Sequence, residues 1–233
     1  YAAALGYSIL CNYYISIMIC IFLVLYFFMF CMLTEFEGVG DFIKAGIRFA
    51  VWSLIAGGTA AAMLIPEIYA LASTASSESE FPRTFTQYFS IFDMLARHMA
   101  GVKTEQWLKH FPNIYCGSFV YFAFGLYLMS KRISIREKAV YIGAALFMLA
   151  GFAVNVLNFI WHGFRYPNSL PARQSFIYCF LIIYMCFRVY ENRNSITKKE
   201  AGTALTTAII FILLAQKLID NDEFAFGVFY GAM

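Results

Sequence analysis

The stretch NVLNFIWHGFRYPNSLPARQSF, residues 155–176, leaves an apolar run at Asn158 and re-enters one near Phe176. In between it collects His162, Arg165, Tyr166, Asn168 and Arg173, with Pro167 and Pro171 as breakers. Two prolines so close together exclude one continuous helix and hold the backbone in turns. Two arginines and a histidine at the mouth of an apolar bundle predict a site for an anion. A connector that only joined two membrane helices would need none of them. The rest of the chain reads as a scaffold that holds this loop at a membrane surface.

Composition supports that setting. Apolar residues make up 61% and charged residues 13%, with a mean hydropathy of +0.67. Soluble domains run nearer half apolar and a quarter charged, so an integral membrane protein is expected. Aromatics at 19% suit a helical bundle with interfacial belts. The net charge of +3 is small and spread along the chain, which argues against nucleic acid as a partner and leaves the lipid bilayer as the expected surroundings. The cysteines form no CxxC pair. Cys11, Cys20, Cys31, Cys179 and Cys186 lie in apolar runs and Cys116 at the edge of one, so they read as small apolar fillers.

Six apolar runs fall near 10–33, 47–71, 114–130, 139–160, 174–190 and 201–218. Each approaches the roughly 20 residues that cross a bilayer, the third being short. Gly57, Gly58 and Ala60 to Ala62 allow close helix approach in the second run. Gly143, Ala144, Ala145 and Gly151 do so in the fourth. The predicted fold is therefore all-α and integral to the membrane. It is a bundle of about six transmembrane helices with an outward-facing, interfacial amphipathic helical segment. Residues 1–71 supply two spans, 72–113 the extracytoplasmic amphipathic segment, and 114–218 four spans with the extracytoplasmic loop 161–173. Residues 219–233 begin a further extracytoplasmic segment.

Lysine and arginine set the orientation. On alternate connections one side holds ten of them and the other seven. Eight of the ten lie in KRISIREK (131–138) and in 188–199, so those loops are placed in the cytoplasm. The loop 161–173 then faces outward, with Arg165 and Arg173 against the positive-inside trend. Basic residues kept on the wrong side call for a reason.

In the segment 72–113, STASSESE (73–80) reads as a polar turn. Phe85, Phe89, Phe92, Leu95 or Ala96, and Met99 then recur at helical spacing, with Gln87, Asp93 and Arg97 between them. This predicts a helix in the outer interface, ended by Gly101. A second amphipathic turn, EQWLKHF (105–111), is stopped by Pro112. The helix reads either as a cap on the bundle or as a surface that guides an acceptor to the loop.

A guanidinium binds phosphate through two parallel donors, most strongly where water is partly excluded, which makes Arg165 and Arg173 phosphate-binding candidates. His162 reads either as a helix-end histidine bonded to a neighbouring carbonyl or as a phosphate hydrogen-bond donor. Asn155 and Asn158 lie on one helical face inside an apolar run, and such groups meet partners in the bundle interior or touch ligand. Glu67, after Pro66, reads first as a salt-bridge partner of Arg165 or Arg173 and second as a catalytic base. Asn12, Tyr13 and Tyr14 sit at the outward end of the first run and can face the same cavity, the interfacial belt being the default for the tyrosines. His98, His110 and His162 lack metal spacing, so no metal site is predicted. Tyr1 opens without Met or a basic region, and DEFAFGVFYGAM stops without a tail. Both ends read as those of a piece of a longer chain.

The loop also resembles a signature of the bacterial YfhO family of large multi-spanning membrane proteins, N-x-x-W-H-G-F, then P-N, then R-x-S-F. The matching residues are Asn158, Trp161, His162, Gly163, Phe164, Pro167, Asn168, Arg173, Ser175 and Phe176. NYYISIMICIF (12–22), MLIPEIYAL (63–71) and PNIYCG (112–117) are similar to family segments as well, so the resemblance runs nearly the whole chain. It implies a GT-C type glycosyltransferase of the bacterial cytoplasmic membrane. Such enzymes use a polyprenyl-phosphate sugar donor and modify a cell-surface polymer such as lipoteichoic acid, with no cofactor. It implies that Arg165, Arg173 and His162 hold the donor phosphate, that Asn168 meets the sugar or the loop backbone, and that the catalytic carboxylate lies outside this chain. Two other classes use the same residues differently. A transporter or flippase for a lipid-linked saccharide would bind phosphate with the same arginines. A non-catalytic membrane scaffold would tolerate their loss.

Overall fold

The computed structural model describes residues 1–73, 80–90, 92–102, 111–167 and 170–218. The predicted turn at 105–111 (Phe111 apart), Asn168 and the segment 219–233 lie outside the described residues. Among the described residues the secondary structure is helical, with one isolated bridge between Gln87 and Val154. The chain forms two compact units interleaved in sequence, Tyr1–Phe85 with Val156–Pro167, and Thr86–Asn155 with the residues from Asn168 on.

In the first unit the predicted span at 10–33 is two helices, α1 (Ala2–Cys11) and α2 (Tyr13–Leu33). Asn12 stands between them in extended conformation, and its side-chain oxygen accepts from the Ile15 N–H at 3.1 Å. An asparagine that caps the following helix satisfies an amide that the interruption would otherwise orphan. The predicted span at 47–71 is likewise α3 (Val39–Thr59) and α4 (Ala61–Ala72), bent by 76°. The break falls between the Gly57–Gly58 pair and Pro66, both of which weaken a continuous helical ladder. α1 packs on α3 around Leu5, Ile9, Ala56 and Ala60. A Cβ on Gly6 would stand 2.4 Å from Thr59 Oγ1 and 3.2 Å from the Ala56 carbonyl oxygen, so only glycine permits this approach. The Phe27 and Phe49 rings stack at 4.9 Å and bind α2 to α3.

The second unit holds a short turn of helix, α5 (Asp93–Ala96), then α6 (Phe119–Met129) and α7 (Ile135–Ala153). After α8 (Asn155–Trp161), whose first residue alone belongs to this unit, come α9 (Ser175–Glu191) and α10 (Lys198–Leu218). α6 packs on α9 and α10, and α7 on α9. A Cβ on Gly125 would meet the Ala204 backbone at 3.1 Å, the small-residue contact that lets α6 and α10 close up. At one end Arg188 pairs with both oxygens of Glu137, at 2.7 and 3.2 Å, and so ties the end of α9 to the start of α7. Lys138 Nζ donates to the last carbonyls of α6, Leu128 and Ser130. Thr197 and Glu200 form a capping box that opens α10, and Glu200 also accepts from the Lys131 N–H. The two basic loops, 131–138 and 188–199, therefore share one end of this unit. α7 and α9 run antiparallel, which puts Ala153 and Ser175 at the other.

Three expectations change. The run 139–160 is broken at Val154, where 153–155 pairs with 86–88: Tyr88 N–H donates to the Ala153 carbonyl at 2.8 Å and Asn155 N–H to that of Thr86 at 3.1 Å. The amphipathic helix read across 85–99 is for the same reason extended at 86–88 and helical only at α5, because cross-chain pairing takes the amides a helix would use. Arg97, read as part of a polar face, is buried, donating to the Pro112 carbonyl and to Asn113 Oδ1 and lying over the Phe111 ring. Lastly, among the described residues only α2 is by itself long and apolar enough to cross a bilayer, or two spans if α3 and α4 count as one. The six apolar runs do not become six unbroken spanning helices.

Candidate functional site

The first unit builds its polar site from the end of α8. Trp161 and His162 are fully buried, and so are Asn158 and Phe159. The helix stops in a Schellman motif: Phe164 N–H donates to the Phe159 carbonyl and Gly163 N–H to that of Ile160, both at 3.0 Å. Gly163, at φ +70°, occupies the left-handed position that this motif gives to glycine. The hydrophobic contact that accompanies it is Phe164 on Phe159, edge to face at 6.3 Å. Phe164 also has positive φ, uncommon for a bulky residue, so the backbone is held in a tight reversal just before Arg165. Tyr166 packs on Phe159 at 5.0 Å from the other side of the arginine. Arg165 is thus carried between two rings that clamp one phenylalanine.

His162 is oriented by its own helix. Its Nδ1 lies 2.8 Å from the Asn158 carbonyl oxygen. A carbonyl only accepts, so Nδ1 carries the proton and, in the neutral ring, Nε2 is the acceptor nitrogen. The imidazole sits beside the Tyr14 ring, with centroids 6.3 Å apart. Gly163 runs along the first turns of α2, where an added Cβ would meet Ile17 at 3.3 Å. The phenol of Tyr13 faces the Glu67 carboxylate, with Arg165 within electrostatic range. The loop thereby brings His162 and Arg165 to Tyr13, Tyr14 and Glu67, combining a cation, a carboxylate and ring hydrogen-bonding groups at the end of an apolar helix pair.

Other predicted residues have structural duties. Asn12 caps α2. Asn155 belongs to the second unit, where its side-chain oxygen accepts from the Thr86 N–H at 3.0 Å and closes the break after α7. The Asn158 carbonyl orients His162. Arg173 also belongs to the second unit, half-buried just before α9. Beside it stands a residue that the sequence reading passed over. Gln174 is 0% exposed, and neither atom of its side-chain amide has a hydrogen-bond partner among the described residues. Its signal in the sequence was faint, one polar residue at the start of an apolar run.

No curated protein and no solved structure matches this chain. The model of the family described as bacterial membrane protein YfhO matches residues 1–227. A match over nearly the whole of the 233 residues shows the family, and this chain belongs to the bacterial YfhO membrane protein family.

Proposed function

We propose that the chain belongs to a glycosyltransferase of the bacterial cytoplasmic membrane. It takes a sugar from a polyprenyl-phosphate donor and passes it to a cell-surface polymer such as lipoteichoic acid at the outer face. The six apolar runs cross the bilayer as a multi-pass bundle, several of them broken, with 131–138 and 188–199 in the cytoplasm. That the two basic loops share one end of the second unit supports this placement.

The observation that carries the reading is the convergence of His162 and Arg165 with Tyr13 and Glu67 at the end of α2. In sugar transfer the bond between C1 and the phosphate oxygen breaks while an acceptor hydroxyl attacks C1. Negative charge grows on the departing lipid phosphate, and the acceptor proton passes to a carboxylate. A guanidinium held in a site of low water content stabilises that charge where it develops. Arg165 is positioned for this by the reversal at Gly163 and Phe164, and His162, when protonated on Nε2 as well as Nδ1, donates from Nε2 to the same phosphate. Arg173 is proposed as a phosphate ligand on the sequence resemblance alone. Glu67 holds Tyr13 and balances Arg165.

The test is sugar transfer to the surface polymer in cells carrying the full-length gene with Arg165→Ala, Arg173→Ala or His162→Ala, at equal membrane abundance. Loss of about 10²-fold or more is expected for each arginine, the cost of removing one transition-state donor. Arg165→Lys, which keeps the charge and loses the fork, should recover only part of it. Unchanged transfer in all three alanine variants would reduce the loop to a structural turn.

A further inference from the structure

The second unit contains a cavity of about 330 Å³ between α6, α7, α9 and α10, with the turn that carries His98 on its wall. Phe124, Leu128, Leu149, Ile182 and Phe211 make most of its lining. The polar side chains on the wall spend their donors within it. His98 Nδ1 donates to the Met94 carbonyl at 2.9 Å, so Nε2 accepts from the Tyr178 hydroxyl at 2.8 Å. The Tyr121 hydroxyl donates to the His98 carbonyl, the Cys116 thiol to that of Ile114, and the Thr207 hydroxyl to that of Thr203. A water inside a protein needs two to four polar partners, and among the described residues the side-chain donors on this wall are already spent. The occupant it suits is hydrocarbon.

Size and access narrow the choice. An apolar cavity of about 150 Å³ takes one benzene ring, so 330 Å³ has room for roughly a dozen carbons. Leu146 lines the cavity and is nevertheless 53% exposed, so the space opens sideways near the middle of α7. On the membrane placement proposed above, a side door at mid-helix, flanked by the exposed Phe147, would face the hydrocarbon phase of a bilayer and not the water. We infer that this cavity is a binding site for one hydrocarbon chain of a membrane lipid, entering beside Leu146. The inference rests on the membrane placement proposed above and is independent of sugar transfer. Two lipid sources share the chemistry, a straight acyl chain and a branched prenyl chain.

The experiment uses full-length protein in membranes loaded with a photoreactive palmitic acid or, separately, a photoreactive farnesyl phosphate, with adducts mapped by mass spectrometry. Adducts at Leu149, Ile182 or Phe211 are expected with at least one probe. They should fall tenfold or more in Ala145→Phe, which fills the cavity, and in Leu146→Trp, which blocks its mouth. Adducts at the exposed Leu205 and Phe180 should persist in both. Leu146→Trp, at an exposed position, guards against misfolding of the core variant. Adducts confined to exposed positions, or cavity adducts undiminished by both substitutions, would overturn the inference. Capture of the prenyl probe alone assigns the site to a prenyl lipid, and capture of the acyl probe alone to bulk lipid. Unchanged transfer in Arg165→Ala with cavity adducts present would sink the sugar-transfer reading alone, and loss of transfer in that variant with no cavity adducts in the parent protein would sink the cavity inference alone.

Discussion

Phe164 donates its backbone N–H to the carbonyl of Phe159 at 3.0 Å, and the two rings pack edge to face. That pair ends α8 and turns the chain so that the next side chain, Arg165, leaves the helix toward Tyr13 and Glu67. The geometry of the proposed phosphate site is thus set by a helix stop.

Gly163→Ala should damage this stop. It places a Cβ at φ +70° and 3.3 Å from Ile17, a left-handed cost of about 1–2 kcal/mol before any packing shift. Gly143→Ala, inside α7 where an added Cβ meets nothing within 4 Å, should instead stabilise by about 0.5–1 kcal/mol. Thermal unfolding of the two purified full-length variants measures both. A Gly163→Ala protein as stable as the parent would contradict the motif.

Gly6→Ala should separate α1 from α3, because its Cβ would stand 2.4 Å from Thr59 Oγ1. Removing that oxygen in Gly6→Ala/Thr59→Ala should restore part of the lost stability, although the Ala56 carbonyl still crowds the site at 3.2 Å. A double-mutant cycle with no coupling between the two positions would show that the helices do not meet there.

Acid should destabilise the fold around His98. Burial lowers its pKa from the ordinary 6.5, so the folded protein holds the ring neutral between Met94 and Tyr178. The unfolded chain takes up the proton as pH falls through about 6.5, which the folded state resists. The stabilisation is therefore present above that pH and lost below it. His98→Phe should flatten the slope of melting temperature between pH 7.5 and 5, roughly the range where histidine titrates. An equal slope in both proteins would remove His98 as the source.

Gln174→Leu separates packing from function. Replacing a buried amide that lacks partners by an apolar side chain of similar size should leave stability unchanged or raise it by about 1–3 kcal/mol. If the amide has a role in transfer, sugar transfer should drop about tenfold or more at the same abundance. Unchanged transfer would make Gln174 a packing residue. A lower melting temperature would mean that the amide has a structural partner after all.

Much was legible in the residues alone. The apolar runs became helices, because long apolar segments rich in Phe, Leu and Ile satisfy their backbone groups internally. Pro167, Pro171 and the Trp-His-Gly-Phe run marked a turn, since proline and a left-handed glycine constrain the backbone locally whatever surrounds them. Arg165 and His162 stood out for the same local reason, as charge beside apolar sequence. Where the helices break was decided only in three dimensions. Asn12 read as able to face the cavity and Asn155 as meeting either partners in the bundle or ligand; the structure shows Asn12 capping α2 and Asn155 accepting from the Thr86 amide, 69 residues away. The helix expected across 85–99 yielded to pairing with 153–155, and Arg97 was buried on the carbonyl of Pro112. Periodicity reports on neighbours three or four residues apart. It is blind to contacts that close over a long stretch of chain, and those contacts set the breaks, the buried arginine and the cavity of the second unit.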